Sequence, residues 1–178
     1  MMPTVVEGTL PGRVLVGGVG YRWFGDASFA LLVSDALTDG AWPVEVDVLD
    51  LGYGALHVAM DLRDAKPAYE RVILLAVTER GRAPGRLYRF DCPPGTPQLQ
   101  DVQDRMYEAG AGVIDLDHLL IIGRHFDALP DDVVAVELEP HGGTTGDRLS
   151  TSAQALLPDA VELVRREVLA PARSRVRI

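Results

Sequence analysis

The sequence predicts an α/β fold: a three-layer α/β/α sandwich around a mostly parallel, twisted five-stranded sheet. Three observations lead there. The runs VLVGGV at residues 14–19 and VILLAV at residues 72–77 are apolar almost throughout, as strands buried on both faces must be. Strand patterns alternate with helical patterns, the mark of parallel strands joined by crossover helices. The glycine-bearing links between them are too short to mark a second domain, so residues 1–178 are expected to form one.

The elements follow in order. Strand 1 is expected at residues 13–19 and helix 1 at residues 27–37, with Asp26 as its N-cap. Strand 2, residues 44–49, alternates Val44, Val46 and Val48 with Glu45 and Asp47, which suits an outer strand with one wet face. A turn at residues 51–54 leads into a short helix at residues 55–62. Strand 3 covers residues 71–77; GRAPG at residues 81–85 is a turn by its Gly and Pro content, and strand 4 follows at residues 86–91. After the CPPGTP loop come helical stretches at residues 99–109 and 113–126, then strand 5 at residues 133–138. A glycine-rich loop at residues 139–148 precedes the last helix, residues 151–170, where Pro158 predicts a kink or a helix junction.

Composition narrows the function. Lys+Arg is 17 against Asp+Glu 26, a net charge of -9, which argues against nucleic acid, since phosphate binding needs clustered cations. The basic tail (Arg165, Arg166, Arg173, Arg175, Arg177) reads as a helix end matching the C-terminal dipole, followed by a frayed segment. A single cysteine, Cys92, can form neither an internal disulfide nor a cysteine-rich zinc site, and a cytoplasmic location is expected. No basic-then-apolar leader and no apolar stretch near the ~20 residues of a membrane span is present.

Several constellations invite chemistry. Gly17, Gly18 and Gly20 follow a strand, but Trp23 stands where a dinucleotide fingerprint needs its third glycine. A turn out of a crowded sheet is the better reading of these glycines. There is no G-x-S-x-G elbow and no G-K-[ST] loop. Cys92 lacks an activating neighbour in sequence and reads as inert. Asp115, His118 and His125 share a helical face, yet they lack the tight H-x-x-x-H spacing of helical zinc sites, so solvated histidines are expected. His57 carries no such pattern, and His141 lies in a solvated loop, EPHGG. Asp26, Asp50 and Glu139 fall at strand ends, where open α/β sheets bind ligands. Capping for Asp26 and turn chemistry for Asp50 are the bland alternatives.

These pieces, in this order, resemble the hydrogenase maturation proteases, nickel-dependent endopeptidases that trim the large subunit of nickel–iron hydrogenase. VLVGGVGYRWFGDASFALLVSDAL is similar to that family's opening strand, G-x-G-N loop and helix. VDVLDLGYGALHV is similar to its D-G-G-T-x-G segment, and VILLAVTERGRAPGRLYRF to its central strand and hairpin. LPDDVVAVELEP and LSTSAQALLPDAVELV resemble its last strand and final helix, including the proline at Pro158.

The resemblance implies three metal ligands: an acid just after the loop Asp, an Asp on the third strand, and a His opening the helix before the last strand. Asp26 matches the loop Asp, but the ligand positions fall on Ala27, on Ala76 (Leu75 with a slip of one) and near Gly112, with His118 the nearest histidine. D-L-G-Y at residues 50–53 replaces D-G-G-T, and Tyr21 replaces the usual Asn. No catalytic residue, metal or other cofactor is therefore expected. What remains is a protease-like scaffold that recognises a protein partner, a hydrogenase large subunit or maturation factor, through Asp26, Asp50, Gly52 and Tyr53. Two alternatives stand beside it: an endopeptidase with a site relocated to Asp26, Asp50 and His118 or His141, and a small-molecule or nucleotide binder at Gly17–Gly20.

Overall fold

The computed structural model describes residues 10–142 and 146–171. Its five strands are β1 (Arg13–Gly18), β2 (Glu45–Asp50), β3 (Arg71–Val77), β4 (Arg86–Asp91) and β5 (Asp132–Glu139). They form one sheet in the order β2-β1-β3-β5-β4, with every pair parallel except β4 and β5. The helices are α1 (Phe29–Thr38), α2 (Ala55–Asp64), α3 (Leu99–Gly110), α4 (Leu116–His125) and α5 (Thr151–Val168).

The pleat sorts the apolar residues to two faces. Val14, Val16, Ile73, Leu75, Val134 and Val136 pack against α1 and α5; Leu15, Val72, Leu74, Ala76 and Ala135 pack against α2, α3 and α4. Both faces of β1, β3 and β5 are thus covered, which explains their unbroken apolar runs. β2 lies at the sheet edge, as its alternation predicts. β1 feeds α1 on one face and β2 feeds α2 on the other, so the strand order reverses at β1 and β3. The carboxyl ends of those two strands are the topological switch point, where sheets of this kind place their sites.

Some expectations change. Helix 1 does not begin at Ala27: a 3-10 turn, Gly25–Ser28, precedes α1, and Asp26 makes no capping bond to it. The region 113–126 begins its helix at Leu116, because Asp115 caps it by accepting from the His118 backbone N–H at 2.8 Å. Pro158 neither breaks nor divides α5. Arg165 and Arg166 do occupy the last turn of α5; Arg173, Arg175 and Arg177 lie outside the described residues.

No helix among the described residues is long and apolar enough to cross a membrane.

Candidate functional site

The loop leaving β1 is held on every side. Glycine permits its first contact: a Cβ on Gly18 would stand 2.6 Å from Ser34 Oγ and 3.0 Å from the Ala30 carbonyl, so α1 packs directly on the β1 backbone. Gly17 is filled in turn, its missing side chain replaced by Leu51. The glycine pair is therefore packed rather than open, and it offers no exposed row of N–H groups of the kind that cradles a phosphate.

Asp26 is buried, and it reaches across the fold. Its carboxylate accepts from the Ser150 N–H at 2.7 Å and the Ser150 hydroxyl at 2.9 Å. Ser150 Oγ in turn accepts from the Ala153 N–H at 3.2 Å, capping α5. Asp26 is thus an anchor for the start of α5 and not a cap for α1. Replacing it with alanine strips a charge-assisted pair of bonds, and urea unfolding is expected to show a loss of about 2 kcal/mol. In a double-mutant cycle, Asp26→Ala and Ser150→Ala should be strongly non-additive.

Asp50, at the end of β2, carries both a turn and an ion pair. One oxygen accepts from the Gly52 N–H at 2.8 Å, the turn chemistry expected of it, and the other accepts from Arg22 Nε at 2.9 Å. Arg22 also grips Asp35 on α1 through both terminal nitrogens, at 2.8 and 2.9 Å. Those bonds hold the Asp35 carboxyl below its usual range despite partial desolvation. Gly52 is required by crowding: a Cβ there would meet the Gly20 carbonyl at 2.5 Å. Tyr53 donates to Asp61 at 2.7 Å, and burial followed by that bond raises its phenol well above the usual value. Asp50, Gly52 and Tyr53 thus lie at the carboxyl end of β2, where Gly52 abuts the Gly20 carbonyl of the loop leaving β1.

Of the three positions that the resemblance sets at metal ligands, Ala27 and Gly112 both contact Tyr21, and Ala76 lies beside a salt-bridge cluster. The Tyr21 N–H donates to the Ala27 carbonyl at 3.4 Å. Its hydroxyl donates to the Gly112 carbonyl at 3.3 Å and accepts from the Ile114 N–H at 2.8 Å. Tyr21 is thus held to the Ala27 loop by its backbone and to the α3–α4 turn by its side chain. Ala76 is buried in the core, in register with Glu137 on β5. Glu137, itself fully buried, accepts from Arg80 at 2.7 Å and from Arg82 at 2.7 Å. Arg80 continues to Asp117 on α4 at 2.8 Å, and Arg82 to Glu139 at 2.8 Å. The Glu139 carboxyl is held below its usual range: burial pushes it up, but Arg82 and the Arg80 and Gly81 N–H groups together outweigh that.

His118 is not on a solvated face. It is 2% exposed, with Nδ1 2.5 Å from Asp115 and Nε2 2.7 Å from Glu108. These are ion-pair distances, although neither nitrogen makes a well-aligned hydrogen bond. His141 packs its ring on Gly85 instead. Asp26, Asp50, His118 and His141 are each engaged in separate contacts. Among the described residues no group of three His, Cys, Asp or Glu side chains is placed to hold a metal ion. Ala27, Ala76 and Gly112 supply no side-chain donor, so the residues present do not fit the nickel ion that the resemblance implies. Cys92, at the opposite end of the sheet, has its thiol pushed up to about 11, chiefly by burial, as an inert cysteine should.

The chain overlays the crystal structure of a hydrogenase 2 maturation peptidase from a Thaumarchaeota archaeon. The TM-score is 0.61 at 32% sequence identity, covering 88% of this chain and 97% of that one. The chain belongs to the hydrogenase maturation protease family. Hydrogenase maturating endopeptidase HybD from E. coli shares the fold, with a TM-score of 0.61 at 19% identity, covering 85% of this chain and 89% of that one. So does the NiFe hydrogenase maturation protease HycI from Thermococcus kodakarensis, with a TM-score of 0.53 at 18% identity, covering 89% and 93%. No protein-family model and no curated protein sequence matches the chain. Two features of the site lay beyond the sequence reading: Tyr21 as a bridge and the pairing of Glu137 with Arg80 and Arg82.

Proposed function

We propose that this chain is a maturation-protease-like protein without proteolytic activity, which binds a protein partner at the switch point. The partner is a hydrogenase large subunit or another maturation factor, and the setting is the cytoplasm. The contact surface is formed by Asp50, Gly52 and Tyr53 at the carboxyl end of β2, with Asp26 in the loop leaving β1.

One observation carries the reading: Tyr21 bonds both the Ala27 loop and the Gly112 turn. Its backbone N–H holds the first of the three places where the resemblance puts metal ligands, and its hydroxyl occupies the polar groups at the third, so a tyrosine links the two. At the second, the carboxylate beside Ala76 is already neutralised by guanidinium groups. An arginine fixed by carboxylates from β5 and α4 supplies a cation without an open coordination position, so it stabilises the cleft and activates no water.

Two measurements test this on the purified chain. Calorimetric nickel titration is expected to show no stoichiometric binding. Incubation with a hydrogenase large-subunit precursor is expected to leave the precursor's mass unchanged while the two proteins co-elute. Tight stoichiometric nickel binding that is lost in His118→Ala or Asp26→Ala would overturn the reading, as would precursor cleavage.

A further inference from the structure

The loop after β1 presents aromatic rings outward while its backbone is tied down. Trp23 is 79% exposed and Phe24 68% exposed. Trp23 also adopts φ 63, a left-handed conformation that costs a bulky residue roughly 1–3 kcal/mol. Ahead of this strain the loop is pinned by Tyr21 to the α3–α4 turn and by Arg22 to Asp35 and Asp50, and after it the Phe24 carbonyl accepts from the Ala27 N–H at 3.1 Å. Folding gains nothing from an indole held in water, whereas exposed, rigidly presented tryptophans are the usual anchors of binding surfaces.

Beside the indole lies a small pocket of about 120 Å³, lined by Arg22, Trp23, Ser28, Leu31, Leu32, Asp35 and Asp147. Leu31 and Leu32 give it an apolar wall. Its charged groups are not balanced: Arg22 is already divided between Asp35 and Asp50, while Asp147 makes no hydrogen bond or ion pair among the described residues. Arg148 follows Asp147 in the chain but does not line the pocket. An aromatic face, an aliphatic wall and a free carboxylate form the complement of one long cationic side chain. Arginine fits best, because its planar guanidinium both stacks on indole and pairs with carboxylate.

We infer that this pocket takes an arginine side chain from an extended segment of the protein partner, stacked on Trp23 and paired with Asp147. The inference rests on the partner-binding reading above and names the chemistry that the partner presents.

The test uses the pentapeptide acetyl-Ala-Ala-Arg-Ala-Ala-amide and its citrulline counterpart, which keeps the shape and removes the charge. Tryptophan fluorescence and amide chemical shifts follow titration of the full chain into millimolar peptide. Saturable arginine-peptide binding is expected, weakened about tenfold or more by citrulline, by Asp147→Asn or by Trp23→Ala, and unchanged by Tyr107→Ala at an exposed ring elsewhere. Equal binding of the two peptides, an indifferent Asp147→Asn variant, or no saturation would overturn it. A precursor that co-elutes equally with the parent and with Asp147→Asn would sink the arginine pocket and leave the partner reading standing. Binding of the arginine peptide without any co-elution would do the reverse.

Discussion

Replacing Ala76 with aspartate, the residue type that the resemblance implies there, is expected to destabilise this protein by about 3 kcal/mol or more at neutral pH. Ala76 is buried with Val19, Leu51 and Leu116. Its in-register neighbour on the same face is Glu137, one strand spacing (~4.8 Å) away. The nearby guanidinium groups are already committed: Arg80 to Glu137 and Asp117, and Arg82 to Glu137 and Glu139. A new carboxylate would be desolvated beside a like charge, and both effects raise its folded pKa above the unfolded value of about 3.9. A raised acid is more easily ionised in the unfolded chain, so its penalty grows as pH rises above that value and shrinks as pH falls toward it. Urea melts of parent and variant at matched pH, neutral and mildly acidic, read this directly. Nickel should not restore the lost stability. A variant as stable as the parent at neutral pH, or one rescued by nickel, would show that cation-binding capacity survives around Ala76.

The fold was legible because burial leaves a periodic trace. β1 and β3 are continuous apolar runs since both faces are covered, and β2 alternates since it is an edge. The start of the first helix was not legible. An aspartate ahead of an apolar helix is the usual signal of an N-cap, but Asp26 is bonded to Ser150, 124 residues away. No local pattern announces a partner at that separation. Buried Glu137 was hidden for the same reason: in VVAVEL it occupies the place an alternating strand gives to a wet residue, and its partners lie 57 and 55 residues back.

The candidate site divides along the same line. Ala27, Ala76 and Gly112 carry no donor side chain by residue type alone. Asp50 was also readable, because its bond to the Gly52 N–H is local turn chemistry. The bridging role of Tyr21 was not, as its hydroxyl partner Ile114 is 93 residues distant. His118 was misread for a subtler reason. Its spacing from Asp115 pointed to one helical face, but α3 covers that face and brings Glu108 against the imidazole.

Arg71→Leu is expected to cost about 3–5 kcal/mol, more than any other single change at the amino-terminal end of the sheet. Arg71 is fully buried at the start of β3. It donates to Asp132 of β5 at 2.9 and 2.7 Å, to the carbonyls of Glu167 and Ala170 at 2.7 Å each, and to the Pro171 carbonyl at 2.7 Å. One guanidinium thus joins two central strands to the end of α5, where a cation also suits the helix dipole. Leucine fills the volume but leaves three carbonyls without that donor and Asp132 without its cation. Lysine should recover only part of the loss, since a point charge cannot reproduce the fork. Urea midpoints of the two variants measure both effects, and a leucine variant within about 1 kcal/mol of the parent would show that water or other groups satisfy these acceptors. The opposite end of α5 is tied by Asp26 through Ser150, about 27 Å away along an 18-residue helix. At that distance Arg71→Leu and Asp26→Ala should add to within about 0.5 kcal/mol. A larger shortfall would mean that losing either tie frees α5 as a unit, and with it the loop that carries Trp23.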